Sequence, residues 1–189
     1  MVSVSVIAMG IAAGIFLLLI PLILLAFYRK VAPGKALIRF GMGGTVVRLE
    51  GGMFVLPILH TAEVMDISMK QLDINLEGKD ALICKDKLQA DIRTTVFVRV
   101  NPVQEDIQLV AEVLGSKRAS DPKMVHELFE GKFTETLKMV GKRFNFDDLY
   151  QNRDEFKFEF LAALGLDLNG FKLDDAVIQQ IEQSLVRSS

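Results

Sequence analysis

From Val2 to Tyr28 the chain carries no Asp, Glu, Lys, Arg or His. The apolar positions there are continuous, with none of the polar intervals of an amphipathic helix. Such a run predicts a helix of about 40 Å, against roughly 30 Å of bilayer hydrocarbon. A cleaved signal peptide fits poorly: no basic residues precede the run, it is too long, and no small-x-small site precedes Arg29. The pattern then changes to that of strands. Lys35–Phe40 and Thr45–Leu49 are short β-type runs around the turn Gly41-Met-Gly-Gly44, and Met53–Leu59 is an apolar run that suits a buried strand, with Pro57 marking an edge or bend. Val64–Leu76 alternates roughly. The clearest strand is Leu88–Val100, where Leu88, Ala90, Ile92, Thr94, Val96, Val98 and Val100 share one face while Gln89, Asp91, Arg93, Thr95 and Arg99 take the other, with Phe97 among them.

Beyond Asn101-Pro102 the period becomes helical. Ile107, Val110, Ala111 and Leu114 keep a helical spacing that stops at Gly115. Asp121-Pro122 reads as a cap and first turn, followed by the stripe Val125, Phe129, Phe133, Leu137, Val140 and Phe144, reinforced by Met124 and Leu128. Phe146-Asp-Asp148 opens a third helix carrying Leu149, Phe156, Phe160 and Leu164. Leu166–Leu173 then reads as one more strand, and Ala176–Val186 as a short closing helix. Strands followed by helices in one piece give an α+β fold with an antiparallel sheet and packed helices, behind a single transmembrane helix. The expected division is 1–30 for the membrane helix and juxtamembrane anchor, 31–175 for the globular domain, and 176–189 for a short C-terminal helix and tail.

Charge assigns an orientation. Arg29, Lys30, Lys35, Arg39 and Arg48 follow the apolar run before the first acid, Glu50. The positive-inside rule therefore predicts a single-pass protein of the cell (inner) membrane, its N-terminus outside and its main domain cytoplasmic. Tyr28 suits an interfacial anchor. Gly10 and Gly14 have the spacing that permits close helix packing, although small residues are common in membrane helices generally. A net charge of -2 disfavours nucleic acid as a partner.

No catalytic set emerges from the sequence. His60 and His126 are the only histidines and do not form a metal-binding pair, and a single cysteine, Cys84, excludes a multi-cysteine metal site. The glycine-rich turn at 41–44 lacks the helix start and lysine of a phosphate loop. No metal, no cofactor and no small-molecule substrate is expected. The competing enzymatic reading is a membrane hydrolase using Cys84 or a Ser–Lys pair, for which nothing places a base beside a nucleophile.

The ordered motifs carry a resemblance. Ala32-Pro-Gly-Lys-Ala-Leu-Ile-Arg39, the glycine-rich turn, and Gly51-Gly-Met-Phe-Val-Leu-Pro-Ile-Leu-His60 resemble the start of an SPFH domain, the domain of stomatins, prohibitins and flotillins. Asp80–Val100 is similar to that family's central hairpin. Leu128–Leu137 and Phe146–Phe156 are similar to its helices in the bacterial flotillin-like, YqiK-type branch, and the likeness covers Ala32 to Asp174. The resemblance implies a non-catalytic scaffold that self-associates, contacts the lipid bilayer and organises membrane microdomains, often beside an NfeD-type membrane partner or a membrane protease. The alternative it allows is an accessory subunit of a protease or channel complex. Flotillins normally continue into an Ala/Glu-rich coiled coil, of which no heptad run appears here; a naturally short form and a fragment both stay open.

One further expectation concerns lipid. Phe54, Val55 and Leu56 lie in the apolar run near Tyr28, Arg29, Lys30 and Lys35 in sequence. A domain held at the bilayer would set these apolar side chains in the interface, while each basic residue attracts anionic head groups by about 1 kcal/mol. The rival reading is a strand buried on both faces.

Overall fold

The computed structural model describes residues 4–165 and 168–184, the side chains at 4–8, 12, 23 and 24 lying outside that description. Two compact units divide the chain, Met1–Val64 and Met65–Ser189. The boundary falls inside a strand, with no linker.

The first unit opens with helix α1 (Val4–Ala26), 23 residues with Pro21 inside. Among the described residues no helix is long and apolar enough to cross a membrane. The longest run of α1 with described side chains is 13–22, whereas the whole helix carries no charged residue. Strands β1 (Tyr28–Lys30), β2 (Lys35–Gly41), β3 (Val46–Arg48), β4 (Gly52–Phe54) and β5 (His60–Asp66) follow. β1 pairs antiparallel with β4, and β2 lies between β3 and β5. Leu37, Met53 and Val55 form a small core against which Val31, Val46 and Ala62 pack. The turn at 41–44 needs glycine: Gly41 has φ 133°, and a Cβ there would strike the Leu59 carbonyl.

The apolar run at 53–59 is not a buried strand. It is extended only to Phe54, after which Pro57 and a turn closed on the Leu56 carbonyl by the Leu59 and His60 amides reverse the chain. A turn cannot bury both of its sides, and the outward residues are left exposed.

The second unit contains β6 (Lys70–Leu76), a 3-10 turn at Gly78–Asp80, β7 (Leu82–Ile83), β8 (Gln89–Val100), α2 (Gln104–Val113), α3 (Ser116–Ser120), α4 (Pro122–Gly141), α5 (Phe146–Gln151), α6 (Arg153–Leu164) and β9 (Phe171–Gln183). All pairing in its sheet is antiparallel: β8 pairs β6 over Ile92–Val98, β7 at Gln89–Ala90, and β9 along Ala90–Val100. The alternation read from the sequence holds at Ala90, Ile92, Thr94, Val96, Val98 and Val100, all buried, and fails at two positions: Leu88 precedes the strand and is exposed, and Thr95 is buried because its hydroxyl bonds the Asp73 carboxylate and the Gln179 amide. Val125, Phe129, Phe133, Leu137 and Val140 of α4 are buried as a stripe, and Phe129 stacks on Phe133 at 5.5 Å, whereas Phe144 lies past the end of α4 and Leu128 is exposed. Asp121 caps α4 by accepting from the Lys123 amide at 2.9 Å, with Pro122 in the first turn.

Three expectations need correction. Val64–Leu76 is two strands, because the Ser68 amide bonds the Asp66 carboxylate and closes a turn between them. The third helix is two, broken at Asn152, whose ψ of 51° departs from the helical value. Most consequentially, residues 176–183 are not a closing helix but the end of β9. The pairing of β9 with β8 slips by one residue between Arg93 and Thr94 and again between Phe97 and Val98. Each slip adds an unpaired β9 residue, so Phe171, Leu173, Ala176, Ile178 and Ile181 turn toward one side at mixed spacings of two and three. That spacing imitates a helix. Residues 166–167, the start of the strand expected at 166–173, lie outside the described residues.

Candidate membrane-contact surface

The side chains singled out for lipid contact come together in the first unit because β1 pairs with β4. Tyr28 lies opposite Phe54, Arg29 opposite Met53 and Lys30 opposite Gly52. The pairing is close at Gly52, where any Cβ would meet the Arg29 carbonyl and the Tyr28 ring. The Val55 amide donates to the Phe27 carbonyl at 2.9 Å, one residue beyond α1. Phe54, 26 positions later than Tyr28, is thereby fixed at the end of the apolar helix, and the two rings touch at 5.2 Å. Phe54 is 50 % exposed and Ile58 96 %, and Leu56, Leu59 and Met42 are exposed with them. Five apolar side chains in water need a reason, since single exposed apolar residues are ordinary but a cluster on one turn is not.

The turn that presents them is held by His60. The Leu56 amide donates to Nδ1 at 3.4 Å, which puts the ring proton on Nε2, 3.2 Å from the Met42 carbonyl that accepts it. The Met42 amide in turn donates to the Leu59 carbonyl at 3.3 Å. Sequence reading gave His60 no role; its value is to join two turns, which no spacing rule reveals.

Around this turn the charge is one-sided. The first unit has five basic residues, Arg29, Lys30, Lys35, Arg39 and Arg48, against Glu50 and Glu63. None of the five makes an ion pair among the described residues. Arg39 donates from Nη1 to the Phe54 carbonyl at 3.2 Å, so one positive charge sits directly beside the apolar turn. Arg29, Lys30 and Lys35 are exposed. One expected contact residue is misplaced: Val55 is 8 % exposed and belongs to the core with Leu37 and Met53, because alternation along β4 turns it inward from Phe54. Ile58, Leu59 and Met42 are the apolar residues that sequence reading left out. Gly10 and Gly14 lie one turn apart on α1, and a Cβ at either would meet no atom within 4 Å.

The nucleophile of the rival hydrolase reading is poorly placed. Cys84 is buried, and burial with the nearby Asp86 carboxylate pushes its thiol up to about 11, away from the thiolate that a nucleophile requires. His126 is far from it in role, taking the Asp73 carbonyl at 2.8 Å with Glu130 at 3.6 Å. No cluster of metal-ligating side chains occurs among the described residues.

Residues 29–185, from β1 to beyond β9, match the SPFH domain / Band 7 family. The chain belongs to that family. Its SPFH domain therefore includes β9 and extends past residue 175. The chain is 30 % identical over 177 residues to the flotillin family inner membrane protein YqiK of Escherichia coli (strain K12), covering 93 % of this chain and 32 % of that protein. It is 27 % identical over 182 residues to the flotillin family inner membrane protein sll1021 of Synechocystis, covering 92 % and 27 %. The flotillin-like protein FloT of Bacillus subtilis is 25 % identical over 184 residues, covering 85 % and 35 %. The chain thus spans about a third of the length of the curated relatives it matches. Its likeness is to the flotillin branch of the family, with YqiK among its relatives.

Proposed function

We propose that this chain is a flotillin-like membrane scaffold: α1 anchors it in the inner membrane with the N-terminus outside, and its SPFH domain lies on the cytoplasmic face. There it self-associates and organises neighbouring lipid and protein without catalysing a reaction. The observation that carries this reading is the tie from Phe27 to Val55, with β1 pairing β4, which sets an apolar turn at the end of an uncharged helix. At 23 residues α1 would be about 35 Å long, against roughly 30 Å of hydrocarbon, and its sequence carries no charge. Its exit would then hold Tyr28 and Phe54 at head-group depth, where aromatic rings are favoured, with the basic residues facing anionic lipid. The names of the relatives, two of them inner membrane proteins, support the same location.

Sided labelling tests the arrangement. In sealed right-side-out vesicles, a cysteine introduced by Lys35→Cys should resist a membrane-impermeant maleimide until the vesicles are opened. The chain should also stay with the membrane through alkaline carbonate. Labelling of intact vesicles at position 35 would reverse the topology, and release by carbonate would remove the anchor.

A further inference from the structure

The longest strand of the second unit is also one of its edges. β9 runs for 13 residues, and its sole strand neighbour among the described residues is β8. Long edges with free backbone donors and acceptors are templates for another strand. The opposite edge differs, since α4 brings His126 against the Asp73 carbonyl of β6.

The charges along β9 say what would pair with it. Near one end Lys172 lies directly opposite Arg99 of β8; near the other, Glu182 lies directly opposite Asp91. Both are like-charge pairs, which are unfavourable across strands. Between them the acids are already neutralised, Asp174 by Arg99 at 2.8 Å and Asp175 by Lys157 at 2.6 Å. Lys172 makes no ion pair among the described residues, and Glu182 has only an amide, Gln180, as partner. The strand is therefore basic at one end and acidic at the other. The two ends share a face, because Arg99 and Asp91 are an even number of residues apart on β8.

We propose that β9 pairs antiparallel with β9 of a second copy of this chain, about a two-fold axis at Val177. Val177 is opposite Thr95, midway between Arg99 and Asp91 in the β8 register, so this axis brings Lys172 of each copy opposite Glu182 of the other. Each like-charge pair thereby gains an opposite charge from the other copy, and the two four-stranded sheets become one. Leu173 meets Ile181 in the same register, and Val177, 43 % exposed in one copy, meets its own counterpart. A two-fold contact of this kind is isologous and closes on itself. The proposal names the surface for the self-association included in the proposed function and rests on that part of it alone; it needs no membrane contact.

The test uses the full chain in detergent micelles. A cysteine at the axis, Val177→Cys, should be joined to its copy by a short bis-maleimide, because facing Cβ atoms across antiparallel strands are about 5 Å apart. Asn75→Cys on β6 should not be. Cys84 does not compete, being buried. Lys172→Glu and Glu182→Lys should each weaken dimer formation by roughly tenfold, and the double variant should restore it. Neither single change harms the isolated fold, since each removes a like-charge pair with β8. A chain that self-associates without linkage at position 177, or whose double variant stays as weak as the single ones, would overturn edge pairing and leave self-association standing. A chain that is monomeric at all concentrations would overturn both.

Discussion

Leu82 and Gly141 show how little freedom single positions have. A Cβ on Gly141 would run into the side chain of Leu82, which is fully buried under α4. Gly141→Ala should therefore destabilise the second unit by about 1–3 kcal/mol, the usual range for overpacking, despite alanine's better helix propensity. Urea unfolding would show it as a lower midpoint at unchanged slope. Two carboxylates contribute to the acid sensitivity of the fold. Asp73 is held below the usual range chiefly by hydrogen bonds from Gln71 and Thr95, and Asp175 by the Lys157 ammonium and the Ala176 amide. A depressed carboxylate stabilises the fold fully above its unfolded value, about 3.9, and that contribution is lost as pH falls through the lower folded value. The melting temperature should thus be insensitive to these groups above about pH 5 and fall below pH 4. Asp73→Asn should lessen that acid slope in a series of thermal melts. Neither partnership was legible in the sequence, because Thr95 and Lys157 reach their acids across strands or from a helix.

Elements were legible where their period was unbroken. Strand β8 and helix α4 have a constant spacing and a clear cap, and the structure follows both. Two segments were misread for definite physical causes. In β9, two extra residues shift the inward set from a spacing of two to one of three, and the eye finds a helix. At 53–59, continuous apolar character suggested burial, yet the chain turns at Pro57 and leaves Ile58 almost wholly exposed. Composition reports that a segment is apolar but not what it faces. The same ambiguity hid Val55, which alternation along a three-residue strand assigns to the core. Of the candidate site residues, the β1–β4 pairing sets Tyr28, Arg29 and Lys30 along the strand that carries Phe54. Met42 and His60 join the apolar turn only through the close approach of two turns.

At the scale of the molecule, one unit has a clustered apolar turn among basic residues that make no ion pair among the described residues, and the other a long strand edge with opposite charges at its ends. These features suit the two tasks of a membrane scaffold, contact with lipid and contact with its own kind. The central claim is that the turn of the first unit rests in the bilayer. Its most direct measurement is the depth of a spin label at Ile58→Cys, with the full chain in nanodiscs containing anionic lipid. The label should be relaxed strongly by dissolved oxygen and weakly by a water-soluble nickel chelate, while one at Glu50→Cys should show the reverse. Equal access of nickel to both positions would place the apolar turn in water and contradict the account.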